Sequence, residues 1–310
     1  SCPHLPRFRK HRRTTGRGIF MSLRRIVLIA NPGARGRSEA ALASAVELLS
    51  THVPTDLKWT EHAGHATKMA RLYGGDPDTL VAVCGGDGTL FEAVDGLPAT
   101  GVIGLLPAGT ANVVAKELGI PLNIREAAKL LLTGTVQRLD TGSMNGRRFV
   151  MSAGFGFDAH VASHVPSIAK RLLGQYAFHL ETALQYPFYK PPRIRITVDG
   201  RERRTGAYLL CANLRRYGGN MFFAPDARPD DGLIDIVLFE TLSLHPLLKG
   251  LWGAKTGRGP PPDSAWRTTC RRVEVECDEP IGVQLDGEVV PSITKAVVEA
   301  RPGDLAMVVP

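Results

Sequence analysis

The sequence predicts a two-domain α/β protein, with an N-terminal α/β domain on a mostly parallel sheet and a C-terminal antiparallel β-sandwich carrying helical inserts. Three observations lead there. Short apolar runs alternate with helical patterns from residue 25 to about residue 139, the mark of βαβ units. Beyond that point the texture changes to short alternating segments separated by turn residues. At 310 residues, the chain is long enough for two cores.

The elements follow in order. Residues 26–30 form an apolar strand that runs into the turn Asn31-Pro32-Gly33-Ala34-Arg35-Gly36-Arg37. Ser38 is a helix N-cap with Glu39 in the first turn, predicting a helix to about residue 49. A second strand is expected over 57–60 and a helix over 65–73. Leu80, Val81, Ala82 and Val83 make a third strand, buried on both faces, which ends in Gly85-Gly86-Asp87-Gly88-Thr89. Leu90, Val94 and Leu97 then recur at helical spacing. Residues 102–105 give a fourth strand, followed by Pro107-Ala108-Gly109-Thr110-Ala111-Asn112, and a helix over 124–132 closes this half. After it, strands are expected at 149–152, 193–198, 207–212, 233–239, 273–277, 282–285 and 296–300, with helical inserts near 158–186 and 243–252. Asn145-Gly146, Asp199-Gly200 and Asp286-Gly287 supply hairpin turns. The domains are therefore set at 21–139 and 140–310, with the last strand free to return to the first, and their cleft is the default ligand site.

Composition narrows the class. Residues 1–20 carry Arg7, Arg9, Lys10, Arg12, Arg13 and Arg17 with no acidic residue, and so hold most of the net charge of +8. This arm is expected to be a disordered appendage before Met21; an electrostatic tether to anionic lipid or nucleic acid is the rival reading, and no nucleic-acid interface is expected elsewhere. Five scattered cysteines with no C-x-x-C pair argue against a disulfide framework or zinc site and for a reducing cytoplasm. No apolar run approaches the roughly 18 residues of a transmembrane helix, and no secretory signal is legible. His160 and His164 stand four residues apart on a helix, a zinc spacing that lacks a third ligand. Leu244, Leu247, Leu248 and Leu251 form an apolar stripe expected to pack in the core, with docking on a membrane surface as the alternative.

The glycine loop at 85–89 carries the chemistry. A strand that ends in glycines at a helix start lets backbone N–H groups approach a phosphate, and the helix dipole favours the anion. A carboxylate there, Asp87, suits a Mg²⁺ ion or an attacking hydroxyl beside the phosphates, which points to phosphoryl transfer.

With Gly109-Thr110-Ala111-Asn112 about twenty residues later, this loop resembles the diacylglycerol-kinase catalytic-domain family, which includes soluble bacterial lipid kinases and, more distantly, sphingosine and ceramide kinases. Asn31-Pro32-Gly33, Thr60 with Gly64-His65-Ala66, Gly154-Phe155-Gly156-Phe157-Asp158, Ala224-Pro225-Asp226-Ala227, Asp231-Gly232-Leu233 and Leu285-Asp286-Gly287-Glu288 extend the resemblance over roughly 25–310. It implies ATP between the two domains and Mg²⁺-dependent transfer of the γ-phosphoryl group to a lipid hydroxyl. It further implies nucleotide contacts from Asn31, Pro32, Gly33, Ala34, Arg35, Thr60, Gly85, Gly86, Asp87, Gly88, Thr89, Leu90, Glu92, Gly109, Thr110 and Asn112. A structural Mg²⁺ is implied beside the Asp-Gly-Leu turn, at Arg228, Asp231 and Leu233, with backbone oxygens contributing. For the catalytic base the resemblance offers Glu288 or Asp87, and the choice stays open; Glu288 is favoured, with Asp286 aimed the same way if that turn is extended.

The chain departs from the family pattern at Phe91 and Asp95, where asparagine is frequent, and at Val113, where aspartate is. The resemblance implies a cytoplasmic enzyme that visits the membrane surface, with diacylglycerol as first acceptor and monoacylglycerol, phosphatidylglycerol or a sphingoid base behind it. NAD kinase is the enzymatic rival and a non-catalytic nucleotide- or lipid-binding regulator the other. A homodimer stays open.

Overall fold

The computed structural model describes residues 23–34, 36, 38–166 and 175–310. The basic arm, Arg35 and Arg37 lie outside them.

Four parallel strands build the N-terminal domain: β1 (Arg25–Ala30), β2 (Thr55–Trp59), β3 (Thr79–Gly85) and β4 (Val102–Pro107), in the order β2-β1-β3-β4. β3 is buried along its whole length, as expected of a strand covered on both faces. The covering helices are α1 (Glu39–Ser50), α2 (His65–Tyr73), α3 (Asp87–Gly96), α4 (Val113–Leu118) and α5 (Ile124–Thr133). Ser38 does cap α1, accepting from the Ala41 N–H, and Asn123 caps α5 through the Arg125 and Glu126 amides.

The C-terminal domain adds β5 (Thr135–Met144), β6 (Arg147–Phe149), β7 (Ser152–Phe155), β8 (Ile194–Val198), β9 (Glu202–Gly206), β10 (Tyr208–Ala212), β11 (Ile234–Phe239), β12 (Trp266–Cys270), β13 (Arg272–Leu285) and β14 (Glu288–Val309). Helices α6 (Phe157–His164), α7 (Gln175–Gln185) and α8 (Leu244–Lys255) are its inserts. Its strands pair antiparallel, and their inner faces enclose a core around Phe149, Phe155 and Leu238.

Some strand expectations are corrected. The strand expected at 149–152 is two strands, because the chain turns at Val150 and Met151. Those expected at 273–277 and 282–285 are one 14-residue strand with register shifts near Ile281. β5 runs through the expected boundary at 139/140. β14, 22 residues long, pairs with β13 and β5 and then, at Ala306 and Met307, with β4 in parallel. The two domains thus share one continuous sheet.

The leucine stripe on α8 divides. Leu247 and Leu251 face the core shared with Phe239, whereas Leu244, Leu248 and Trp252 face outward, Trp252 with 68% of its surface exposed. The His160 and His164 rings lie 4.2 Å apart between centroids, tilted by 42°, and the His164 Nδ1 lies 2.8 Å from the His160 carbonyl, an arrangement of helix side chains. Among the described residues no group of three His, Cys, Asp or Glu gathers to hold a metal, and no helix is long and apolar enough to cross a membrane.

Candidate active site

The glycine motifs meet at the carboxyl ends of the parallel strands, where open α/β sheets bind ligands. Gly86 and Gly109 lie backbone to backbone: a Cβ on Gly109 would stand 2.5 Å from the Gly86 Cα. The Ala108 amide donates to the Gly85 carbonyl at 2.8 Å, so the two loops form one surface. Asn112, at φ 47°, closes its own loop; its side chain accepts from the Gly109 N–H and donates to the Gly109 carbonyl, both at 2.9 Å. Asn31 joins the first turn to this surface: its amide donates to Thr89 Oγ1 at 3.0 Å and its oxygen accepts from the Gly33 N–H at 2.8 Å. The Gly36 amide donates to the Ala108 carbonyl, which draws the turn through Pro32 and Ala34 over the second loop. Thr60 is buried at the end of β2, with its N–H on the Ala30 carbonyl, and Thr110 is exposed at the loop mouth. Gly88 and Leu90 sit in the first turn of α3. Arg35 falls outside the described residues.

Asp87 opens α3, yet its carboxylate turns to the next motif. It accepts from the Val113 and Val114 amides at 3.0 and 3.1 Å and so caps α4. Burial pushes its carboxyl above the usual range, against the pull of those amides. Val113 thus contributes its N–H to the junction of the two loops, a contribution any side chain there would allow.

A cavity of about 290 Å³ lies between the domains. Gly64, Thr67, Phe91, Glu92 and Asp95 line one wall; Arg147, Arg148, Asp286 and Glu288 line the other. Glu92 accepts from the Gly64 N–H at 2.9 Å, fixing the start of α2, and Phe91 packs into the hydrophobic core behind that wall. Glu288 is exposed and faces Arg147 at 3.5 Å. Asp286 and Gly287, at φ 53° and 86°, form a tight two-residue turn between β13 and β14. The turn is not extended, so the two carboxylates diverge. That of Asp286 accepts from the Val150, Met151 and Ser152 amides at 2.7, 2.7 and 3.0 Å, and burial pushes its carboxyl up to about 6.

The cavity therefore brings together Glu92, Asp286 and Glu288 with Gly64. Asp87 and Asp231 are not among its lining residues.

Asp231 sits in an exposed turn, where its carboxylate accepts from the Leu233 N–H at 3.0 Å; the Arg228 guanidinium bonds Asp230 instead. Next to it Asp235 is pushed up to about 7 by burial and by the charges of Asp231 and Asp226. An oxygen-rich turn with surplus negative charge fits a hard cation that keeps much of its water, as Mg²⁺ does.

The sequence did not single out Asp140, Arg148 or Glu117. Asp140 accepts from the Gly232 and Gly303 amides at 2.6 and 2.7 Å and pins the Asp-Gly-Leu turn to β14. Arg148 pairs with Asp304 at 2.8 Å and donates to the Val94 carbonyl at 2.7 Å, tying the cavity wall to α3. Glu117, buried on α4, pairs with Arg215 from the other domain. These are long-range contacts of ordinary residue types, for which a sequence carries no local signal.

A family profile described as the diacylglycerol kinase catalytic domain matches residues 25–144, and one described as the YegS C-terminal NAD kinase beta sandwich-like domain matches residues 151–309. A diacylglycerol kinase of Bacillus subtilis (strain 168) is 32% identical over 244 residues, 77% of this chain and 78% of its own length. The chain belongs to the diacylglycerol kinase family. A protein of Chromohalobacter salexigens named a YegS-like lipid kinase is 30% identical over 76% of this chain and 78% of its own. A crystal structure of a diacylglycerol kinase from Bacillus anthracis str. Sterne superposes with a TM-score of 0.72, covering 92% of this chain and 97% of that one, at 24% identity, a likeness of fold. As a member of this family the chain is a lipid kinase, a phosphotransferase.

Proposed function

We propose that this enzyme transfers the γ-phosphoryl group of ATP to a hydroxyl of diacylglycerol or a related lipid, with Mg²⁺ bound. The observation that supports it best is the cleft between the domains, with Glu288 exposed on one wall and Gly64 and Glu92 of the first domain on the other. The triphosphate would lie along the N–H groups of the interlocked glycine loops and the first turn of α3. Glu288 is the base: it orients the acceptor hydroxyl and takes its proton as the bond to the γ-phosphorus forms and the bond from that phosphorus to the ADP oxygen breaks, with ADP leaving. The loose transition state of phosphoryl transfer asks more for positioning than for basicity, which an ordinary carboxylate can supply. Asp87 acts by holding α4, and with it the second loop, against the first. Asp286 anchors the turn that presents Glu288. Asp231 with the backbone oxygens of Arg228 and Leu233 would hold Mg²⁺, which when bound neutralises phosphate charge.

The acceptor lies in a bilayer, so the enzyme works at a membrane surface. The outward face of α8, Leu244, Leu248 and Trp252 with Lys255 at its end, suits that contact. Leu248→Asp with Trp252→Asp should abolish cosedimentation with anionic vesicles and leave the melting temperature near wild type; undiminished cosedimentation refutes this contact.

Incubation with labelled ATP, Mg²⁺ and a panel of dispersed lipids tests the main reading. Label is expected on diacylglycerol or a related lipid, and Glu288→Gln should lower kcat by about 10²–10⁴-fold with KM for ATP near wild type. Label on NAD with none on any lipid would overturn it.

A further inference from the structure

The turn that presents Glu288 is held at two points. One is Asp286 on the backbone of 150–152. The other is the Gly287 N–H, which donates to Gln284 Oε1 at 2.6 Å. Gln284 is itself buried, and its Nε2 donates to Asp158 Oδ2 at 2.9 Å. That carboxylate oxygen also accepts from the Tyr217 hydroxyl at 2.8 Å and lies 3.4 Å from the Tyr208 hydroxyl, while its Oδ1 accepts from the Ala159 N–H at 2.8 Å. A line of hydrogen bonds thus runs from the start of α6 to the turn before Glu288.

Only one orientation of the Gln284 amide satisfies both ends. Burial pushes the Asp158 carboxyl up, and its donors Gln284, Tyr217, Ala159 and Tyr208 pull it down; the ionised form only accepts and so requires the NH₂ group on its own side. The carbonyl oxygen is then left for Gly287. With an amide at position 158 the Gln284 side chain could turn over, and its NH₂ would face the Gly287 N–H, donor against donor. The backbone makes room for this pair. Gly154 lies opposite Gln284 in the β7–β13 ladder, and a Cβ there would overlap the Asp158 carboxylate and crowd Gln284 Nε2.

We propose that Gln284 is a positioning residue for Glu288, and that Asp158 acts through it by fixing which way its amide faces. Glu288 follows Gly287 directly, so a turn that loses this acceptor lets the Gly287 peptide rotate and moves the carboxylate from the acceptor hydroxyl. This rests on Glu288 being the base, as argued above.

The test exchanges the polarity of the pair. In Asp158→Asn the two NH₂ groups oppose each other, and in Gln284→Glu the two carboxylates do. Asp158→Asn combined with Gln284→Glu restores the bond with donor and acceptor reversed; Tyr217 then accepts, and Gly287 keeps a carboxylate oxygen. Each single variant should lower kcat for lipid phosphorylation by about 10–100-fold per folded enzyme, with KM for ATP near wild type. The double variant should recover most of that loss. Singles with wild-type kcat, or a double no better than the singles, would overturn the proposal. A structural role alone would lower the melting temperature without this split between kcat and KM. Should wild-type enzyme label no lipid, the reading of Glu288 fails by itself, and amide hydrogen exchange at Gly287, followed by NMR, decides the positioning claim separately. Exchange faster in both singles and slowed again in the double supports it, and exchange alike in all four proteins refutes it.

Discussion

Asp286 and Glu288 are two residues apart and do opposite work, and the difference is one of surroundings. Glu288 is in water beside Arg147, whereas Asp286 is folded into the backbone of 150–152. Desolvation is the largest influence on the Asp286 carboxyl and raises it to about 6, from about 3.9 in an unfolded chain. A carboxyl raised on folding binds its proton more tightly in the folded state. Its contribution to stability is therefore full below about pH 4 and fades as pH climbs to about 6. The contribution is on the order of 3 kcal/mol. Asp286→Asn lacks it, so the stability gap between wild type and variant, from chemical denaturation, should narrow by that much between pH 4 and pH 7. A gap that stays constant or widens refutes this account of Asp286. The spacing of Asp286 and Glu288 was legible in the sequence, and so was the Asp-Gly turn. That the turn is tight, so that the carboxylates diverge, follows from positive φ at both turn residues, where an extended pair would have aligned them.

Among the elements, the two glycine loops depend on each other. Their close approach leaves no room for a methyl at Gly109, which would meet the Gly86 Cα at 2.5 Å and Asn112 Oδ1 at 2.9 Å. Gly109→Ala must push the loops apart, at about 1–3 kcal/mol. A lowered melting temperature together with a raised KM for ATP is the expected result; an unchanged KM would separate this contact from nucleotide binding. Sequence reasoning found both loops because each is a local pattern at a strand end. It placed Asp87 at the phosphates, since nothing local shows that Val113 and Val114, twenty-six and twenty-seven residues on, offer their amides to it. The same limit hid Asp140, whose partners Gly232 and Gly303 stand far along the chain. The helical stripe on α8 was read as one face because spacing alone does not say where the core lies. Its division into buried Leu247 and exposed Leu248 follows from the direction of Phe239 and its neighbours.

Across the whole molecule, the domains are joined by backbone as well as by side chains. β14 begins at Glu288 beside the cavity and ends between β4 of the first domain and the start of β5. The Glu117–Arg215 and Arg148–Asp304 pairs brace the same junction. Removing residues 303–310 strips β4 of its β14 neighbour and residues 135–139 of β5 of their partners, and takes away Met307, which is fully buried. The truncated chain should lose cooperative thermal unfolding in both domains; a first domain that still melts as a separate unit would contradict this. One consequence concerns biosynthesis. The flank of β4 has to wait, with its peptide groups open to water or to strangers, until residues 306 and 307 have been made, about two hundred residues after β4 itself. A ribosome that stalls short of them leaves a first lobe that looks finished in outline but has an unsealed seam, a ready invitation to aggregation.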